Sequence, residues 1–516
     1  MIKFNFLTED YKKNKALIIF LSFIPLLIHL YTNLFAGYGY FRDEFYYIAC
    51  SNHLSFGYVD HPPLSVFILK LSTLIFGDSL FAIRLIPALN SALTVFVTCL
   101  ITLKLGGKKT AIIISSVCVI FAPVYLAMSG FYSMNSFDIL LWSAAFYFII
   151  LIIENNETND WIILGIIMGL GLLNKLSFLW LGAGLFTGIL FTDKRKVLLT
   201  TKPYICALLA LLIFSPYIIW NIVNDFAHLE FIRNATSEKY SGLNVASFIK
   251  GQLLNMNPAT LIVWILGLYY FLFDKSGKKY RILGIIYITV FLILVINEHS
   301  KAEYLSPAFI ALFSGGGVLI ERLTSVKYRW FRYALIIPIV FTGIFAALLA
   351  IPILPVESYI SYANRYGFGP SSSEGKELSE LPQHFADMFG WEELASNVSV
   401  AYMTLSPDAQ KRAVVFCNNY GEASAINFFS KDYKLPEAIS GHNSYWLWGY
   451  EKNDDPVVIL LGGTKEDHLK SFEYVEEILV HKAKYAMPYE NNLPVFIGRN
   501  LKAPLDSVWD RIKHYD

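Results

Sequence analysis

The sequence predicts a polytopic α-helical membrane protein with a soluble α/β domain at its C-terminal end. Three observations lead there. Hydrophobic residues fill 55% of the 516 positions and charged residues only 16%, more apolar side chain than a soluble chain of this length turns away from water. The apolar residues come in low-charge runs of up to about 20, the length that crosses a bilayer. Hydropathy then drops sharply after about residue 355.

Taken in order, eleven runs read as spans: 16–35, 85–103, 110–128, 137–153, 161–173, 176–192, 204–223, 258–273, 282–296, 305–320 and 334–354. Lys12, Lys13 and Lys15 precede the first, and no small-residue cleavage site follows it, which reads as a retained helix and not a signal peptide. The fifth and sixth share one hydrophobic block broken at Asn174-Lys175, so the count turns on that break.

Loop charge gives the orientation. With the N-terminus cytoplasmic, the inner loops carry Lys104, Lys108 and Lys109, then Lys194, Arg195 and Lys196, then Lys275, Lys278, Lys279 and Arg281, and last Arg322, Lys327, Arg329 and Arg332. The outer loops are poorer in Lys and Arg. An odd number of spans puts residues 356–516 outside the cytoplasm of a cell inner (plasma) membrane protein, after a membrane domain of 1–355. In the tail, 413–416 and 456–461 read as buried strands, each followed by a helical pattern, hence an α/β domain. Residues 371–375 read as a flexible loop.

A formal net charge of +1 argues against a nucleic-acid partner. Cys50, Cys99, Cys118, Cys206 and Cys417 lack C-x-x-C spacing, so they read as neither a zinc site nor a disulfide framework. No internal repeat stands out.

The polar residues that stand out fall on one side of this topology. Arg42, Asp43, Glu44, Asp60, His61 and Arg84 belong to the first outer loop, Asp138 to the outer start of the fourth span, and Lys175 to the outer turn between short spans. His228, Glu230 and Arg233 precede the eighth span, and 297–304, with Lys301 and Tyr304, precedes the tenth. Ionisable groups at membrane depth are costly and face a cavity or a partner, so an outer-leaflet cleft holding acids and cations is expected. Moving a sugar off a lipid phosphate uses that mixture: a carboxylate takes the proton of the acceptor hydroxyl, and cations stabilise the departing phosphate. Asp43 or Glu44 fits the base; Lys301, Lys175 and Arg42 or Arg84 fit the phosphate.

Each residue also has an ordinary reading. Asp43 and Glu44 can be solvated loop charges, 60–63 a stiff turn, Asp138 a helix cap, Lys175 a snorkelling end, and Lys301 the partner of Glu298 or Glu303. A divalent metal on His61, His228 or His299 has no diagnostic spacing, and no metal ligand is assigned. Tyr445, Trp446 and Trp448 read equally as a sugar-stacking surface or as packing.

Together, Arg42-Asp43-Glu44, the 58–64 stretch Tyr-Val-Asp-His-Pro-Pro-Leu, the 169–175 stretch Gly-Leu-Gly-Leu-Leu-Asn-Lys and Lys301-Ala302-Glu303-Tyr304 resemble the bacterial branch of glycosyltransferase family 39. That branch is related to protein O-mannosyltransferases and the lipid A aminoarabinose transferase, in the GT-C superfamily. The tail stretches 381–391, Asn419-Tyr420-Gly421-Glu422-Ala423 and 441–449 are similar to the soluble portions of its members. The resemblance implies a GT-C fold and an inverting transfer from a polyprenyl-phosphate sugar to a lipid, glycan or protein hydroxyl. It implies that Asp43 is catalytic, that Asp138 assists and that Lys301 contacts donor phosphate. Lys175, Asp60, His61, Arg42, Arg84 and Tyr304 complete the candidate substrate-binding set. The resemblance carries neither the acceptor nor metal dependence across, since relatives differ in both. The competing class is a lipid or glycan transporter or flippase with a periplasmic domain, built from broken helices and repeats.

Overall fold

The computed structural model describes residues 9–372, 376–451 and 455–516; positions 373–375 of the expected flexible loop lie outside the described residues. The chain forms two compact units.

The first unit comprises Met1–Ala36, Phe76–Trp220 and Gly242–Pro355. Among the described residues, seven helices are long and apolar enough to cross a membrane: Glu9–Phe35, Leu80–Lys104, Met134–Asn155, Lys202–Val223, Lys278–Ile296, Ala302–Leu323 and Trp330–Ala350. Two bent pairs raise the number to nine. Of three shorter apolar helices, Leu64–Phe76, Thr158–Asn174 and Ser177–Leu190, the last two correspond to expected runs and bring the number to eleven. All eleven expected runs are helical, but two differ in form. The run at 110–128 bends by 61° between Lys109–Ile120 and Pro123–Ser129, because Pro123 offers no N–H to continue the ladder and instead opens a new helix at its first turn. The run at 258–273 is the second half of a pair bent by 86°, Val245–Asn255 with Pro258–Leu272. Asn257, at φ 65°, makes that corner and accepts the Ala259 N–H.

Helix Ala302–Leu323 is the buried centre of this unit, with 89% of its apolar window covered. Its Gly316 sits against helix Leu261–Leu272, where a Cβ would lie 2.0 Å from the Val263 carbonyl oxygen. The small residue lets the two backbones close up. Helices Lys202–Val223 and Trp330–Ala350 are only 22% covered and expose Leu208, Leu212, Ile219, Ile337 and Phe341, as lipid-facing helices do.

The second unit joins the tail from Val356 onward with two segments distant in sequence, Gly37–Ile75 and Asn221–Ser241. Its sheet has strands β1 Ala413–Cys417, β2 Ala438–Ser440, β3 Val457–Leu461, β4 Phe472–His481 and β5 Leu493–Leu501, in the order β2-β1-β3-β5-β4. The first three are parallel, and β5 and β4 add antiparallel. β3 is buried along its whole length, which is why it reads as an unbroken apolar run. Helix Tyr420–Tyr433 crosses from β1 to β2, and helix Arg42–Asn52 of the Gly37–Ile75 segment packs on it. Phe45 lies 5.3 Å from Phe428, 5.8 Å from Phe429 and 6.0 Å from Trp391, ring to ring.

Candidate functional site

The sequence-flagged residues fall into two groups, one in each unit. In the second unit, Arg42, Asp43 and Glu44 open helix Arg42–Asn52. Glu44 is fully buried, and its Oε2 accepts the Phe41 backbone N–H at 2.8 Å, half of a capping box. Asp43 faces the other way. Its side chain is 35% exposed, and its Oδ1 accepts the Tyr420 hydroxyl at 2.9 Å and the Arg42 Nε–H at 3.4 Å.

Arg42 is held from several sides. Its Nη1 donates to the Tyr489 hydroxyl oxygen at 2.8 Å and stands 3.9 Å from Asp387 Oδ2, and its backbone N–H donates to the Asp387 carbonyl. Burial works against its charge, but Asp387, then Tyr420, Tyr489 and Asp43, outweigh that and hold the guanidinium charged. Nearby, Glu422 and Glu490 are both buried, and Asn419 bridges them by donating to each. Burial, and then the charge of Glu490, push the Glu422 carboxyl well up; burial raises Glu490, with Arg42 opposing. Ionising both carboxyls at once is therefore disfavoured.

Asp60 and His61 form a third set here. The Tyr46 hydroxyl donates to Asp60 Oδ1 at 3.0 Å, and His61 Nε2 lies 4.0 Å from the same oxygen. Burial lifts the Asp60 carboxyl above its usual range, opposed by His61 and the Tyr46 phenol. His61 donates from Nδ1 to the Pro62 carbonyl and stacks on Tyr47, and His228 donates from Nδ1 to the Val59 carbonyl. Burial lowers His228 to about 4.

In the first unit, Asp138 and Lys175 form a buried pair, Nζ to Oδ2 3.9 Å. Asp138 does not cap its helix; Ser133 does. Its Oδ1 accepts the Ser177 hydroxyl at 2.6 Å. Lys175 sits at the break between Thr158–Asn174 and Ser177–Leu190 in extended backbone, and its side chain runs inward, donating to Asn135 Oδ1 at 2.8 Å and lying 5.2 Å over the Tyr304 ring. Lys301 begins the 3-10 turn Ala302–Ala308, and it and Glu303 are near enough to act electrostatically on Lys175. Arg84 is buried in helix Leu80–Lys104. His299 donates to the Leu243 carbonyl. A separate cavity of about 290 Å³ in this unit, bounded by Trp161, Ile189, Lys194 and Ile282, contains none of these candidates.

Among the described residues, one group of three His, Cys, Asp or Glu has ligating atoms within 4.8 Å of one another: His442, His514 and Asp516. It includes none of the histidines weighed from the sequence. His442 accepts the Tyr420 N–H at Nδ1 and donates from Nε2 to the Asp516 carbonyl, so both ring nitrogens are occupied by backbone groups. Tyr445 is buried, Trp448 stacks on His53 at 4.3 Å, and Lys513 covers Trp446 at 5.0 Å; their faces are taken by packing.

Tyr420, Asp387, Tyr489 and Glu490 had no place among the sequence candidates. Two of them carried a signal, Asp387 inside the tail stretch 381–391 and Tyr420 inside Asn419-Tyr420-Gly421-Glu422, but the partner of Tyr420, Asp43, lies 377 positions away.

Residues 60–220 match the family model described as dolichyl-phosphate-mannose-protein mannosyltransferase. No curated protein matches the chain. Among solved structures, ArnT from Cupriavidus metallidurans bound to undecaprenyl phosphate is similar, with a TM-score of 0.59 and 12% identity, over 94% of this chain and 97% of that one. The same protein in the apo state gives 0.57 at 12%, over 94% and 98%. At that distance the likeness is one of fold: a multi-span helical membrane protein with a C-terminal α/β portion, as expected from the sequence.

Proposed function

We propose that the protein is a glycosyltransferase that moves a sugar from a polyprenyl-phosphate donor to an extracytoplasmic hydroxyl acceptor with inversion. The observation that carries the reading is the match of residues 60–220 to the mannosyltransferase family model. The likeness in fold to ArnT bound to undecaprenyl phosphate supports a lipid phosphate as the leaving group. The base is Asp43, whose carboxylate is part exposed while that of Glu44 is consumed in a helix cap. It takes the acceptor's proton as the acceptor oxygen bonds to the anomeric carbon; the bond from that carbon to the lipid phosphate breaks, and phosphate leaves with the electron pair. Lys301 and Lys175 are assigned to phosphate, and Asp138 to holding Lys175. The N-terminus is cytoplasmic and the tail extracytoplasmic, on the Lys and Arg bias of the loops. The transporter reading is not favoured: the matching family model is that of a mannosyltransferase.

The test uses purified protein in lipid nanodiscs with a panel of radiolabelled polyprenyl-phosphate sugars and envelope extract as acceptor. Label should leave one donor with wild type and stay on the lipid with Asp43→Asn. Intact lipid moved or bound, with no donor consumed, would return the transporter reading.

A further inference from the structure

We propose that Tyr420 of the C-terminal domain is a positioning residue for the Asp43 carboxylate, so that the soluble domain builds part of the reacting centre and does not merely cover it. The inference rests on the transferase reading with Asp43 as base.

Three features carry it. The first is the contact: the Tyr420 hydroxyl donates to Asp43 Oδ1 at 2.9 Å, and Arg42 approaches the same oxygen. Among the described residues no protein donor reaches Oδ2, so both contacts orient the carboxylate while leaving one oxygen, on a side chain 35% exposed, for an acceptor hydroxyl. A phenol, with an ordinary pKa near 10, gives its proton to the hydrogen bond and does not compete for the acceptor's.

The second is rigidity. Tyr420 is the first residue of helix Tyr420–Tyr433, and Asn419 caps that helix by accepting the Glu422 N–H at 3.0 Å. The Tyr420 N–H donates to His442 Nδ1 at 3.4 Å. Its ring packs 4.6 Å from that of Tyr46, with the Arg42 guanidinium 5.5 Å from its centroid. The hydroxyl is thus fixed from backbone to tip, as a group that orients another must be.

The third is the neighbour. A Cβ on Gly421 would lie 2.6 Å from Arg42 Cγ and 2.9 Å from Arg42 Cδ, so the Arg42 side-chain stem passes the helix start this closely because glycine follows the tyrosine. The sequence Asn419-Tyr420-Gly421-Glu422 therefore reads as cap, donor, clearance and cap partner.

The test is Tyr420→Phe, which removes the hydroxyl and keeps the ring, in the full-length protein in nanodiscs with the donor found above. kcat should fall about tenfold or more while KM for donor and acceptor stays within about twofold, as expected when a hydrogen bond to a charged group is lost from the reacting geometry. Its thermal midpoint should match wild type, and adding it to Asp43→Asn should slow residual turnover no further. Wild-type kcat, or a raised KM at unchanged kcat, overturns the positioning role. Asp43→Asn run in parallel separates the two ideas. If that variant is active, the base assignment itself fails; if it is dead beside a fully active Tyr420→Phe, only the inference about Tyr420 fails.

Discussion

Asp43 and Glu44 are adjacent acids that side-chain chemistry alone could not rank, though the family resemblance pointed to Asp43, and the helix they open separates them. One step along a helix turns the side chain by about 100°, enough to leave Asp43 at the surface and turn Glu44 back onto the Phe41 N–H. Asp43→Asn should abolish turnover with the thermal midpoint unchanged, read by donor consumption and melting in parallel; Glu44→Gln should lower the midpoint first. The Asp138–Lys175 pair behaves differently because both partners are buried. Removing one leaves the other charge without its compensation, which costs about 3–5 kcal/mol. Asp138→Asn and Lys175→Met should each destabilise the protein, and the double variant should recover stability while remaining inactive. Recovered activity would make the pair purely structural. Lys301→Ala should raise KM for the lipid donor severalfold and leave KM for the acceptor unchanged; equal effects on both would remove its phosphate role.

At the scale of elements, the helices were legible wherever apolar runs lacked charge, and the break at Asn174-Lys175 was legible as well. The bends were not, although Pro123 and Pro258 were in plain view: hydropathy averages across a proline, while the backbone cannot. The start of helix Tyr420–Tyr433 lay within a recognised tail motif, yet the buried pairing of Glu422 emerged only when Glu490 folded against it. Glu422 and Glu490 make a prediction of definite sign. Burial holds the Glu422 carboxyl above its unfolded value, so the native state binds the extra proton. The stability this contributes is complete below the unfolded value of about 4.3 and is lost as pH rises through the folded value. Glu422→Gln keeps an oxygen for the Asn418 N–H and removes the titration. Its melting temperature at pH 8 should exceed wild type by about 2–4 °C per kcal/mol regained, and the gap should close towards pH 4. A gap independent of pH would mean that the carboxyl is not held neutral.

For the whole molecule, hydropathy marks a change near residue 355, but it could not reveal that Gly37–Ile75 and Asn221–Ser241 share a compact unit with the tail. That packing runs through aromatic contacts such as Phe45 with Phe428, which have no local pattern to betray them. The orientation of the whole chain rests on loop charge alone and is open to direct measurement. All five native cysteines are buried, so single cysteines can be introduced without removing them. Lys465 is exposed at the start of helix Lys465–Ser471 in the tail, and Lys196 is exposed in the turn Asp193–Leu199, which the proposed orientation places inside. A membrane-impermeant maleimide applied to intact spheroplasts should label Lys465→Cys and reach Lys196→Cys only after permeabilisation. The tail carries Tyr420, and with it the packing around Asp43, so the reverse labelling pattern would move the proposed base to the cytoplasmic face. An extracytoplasmic acceptor would then be untenable, whatever the donor.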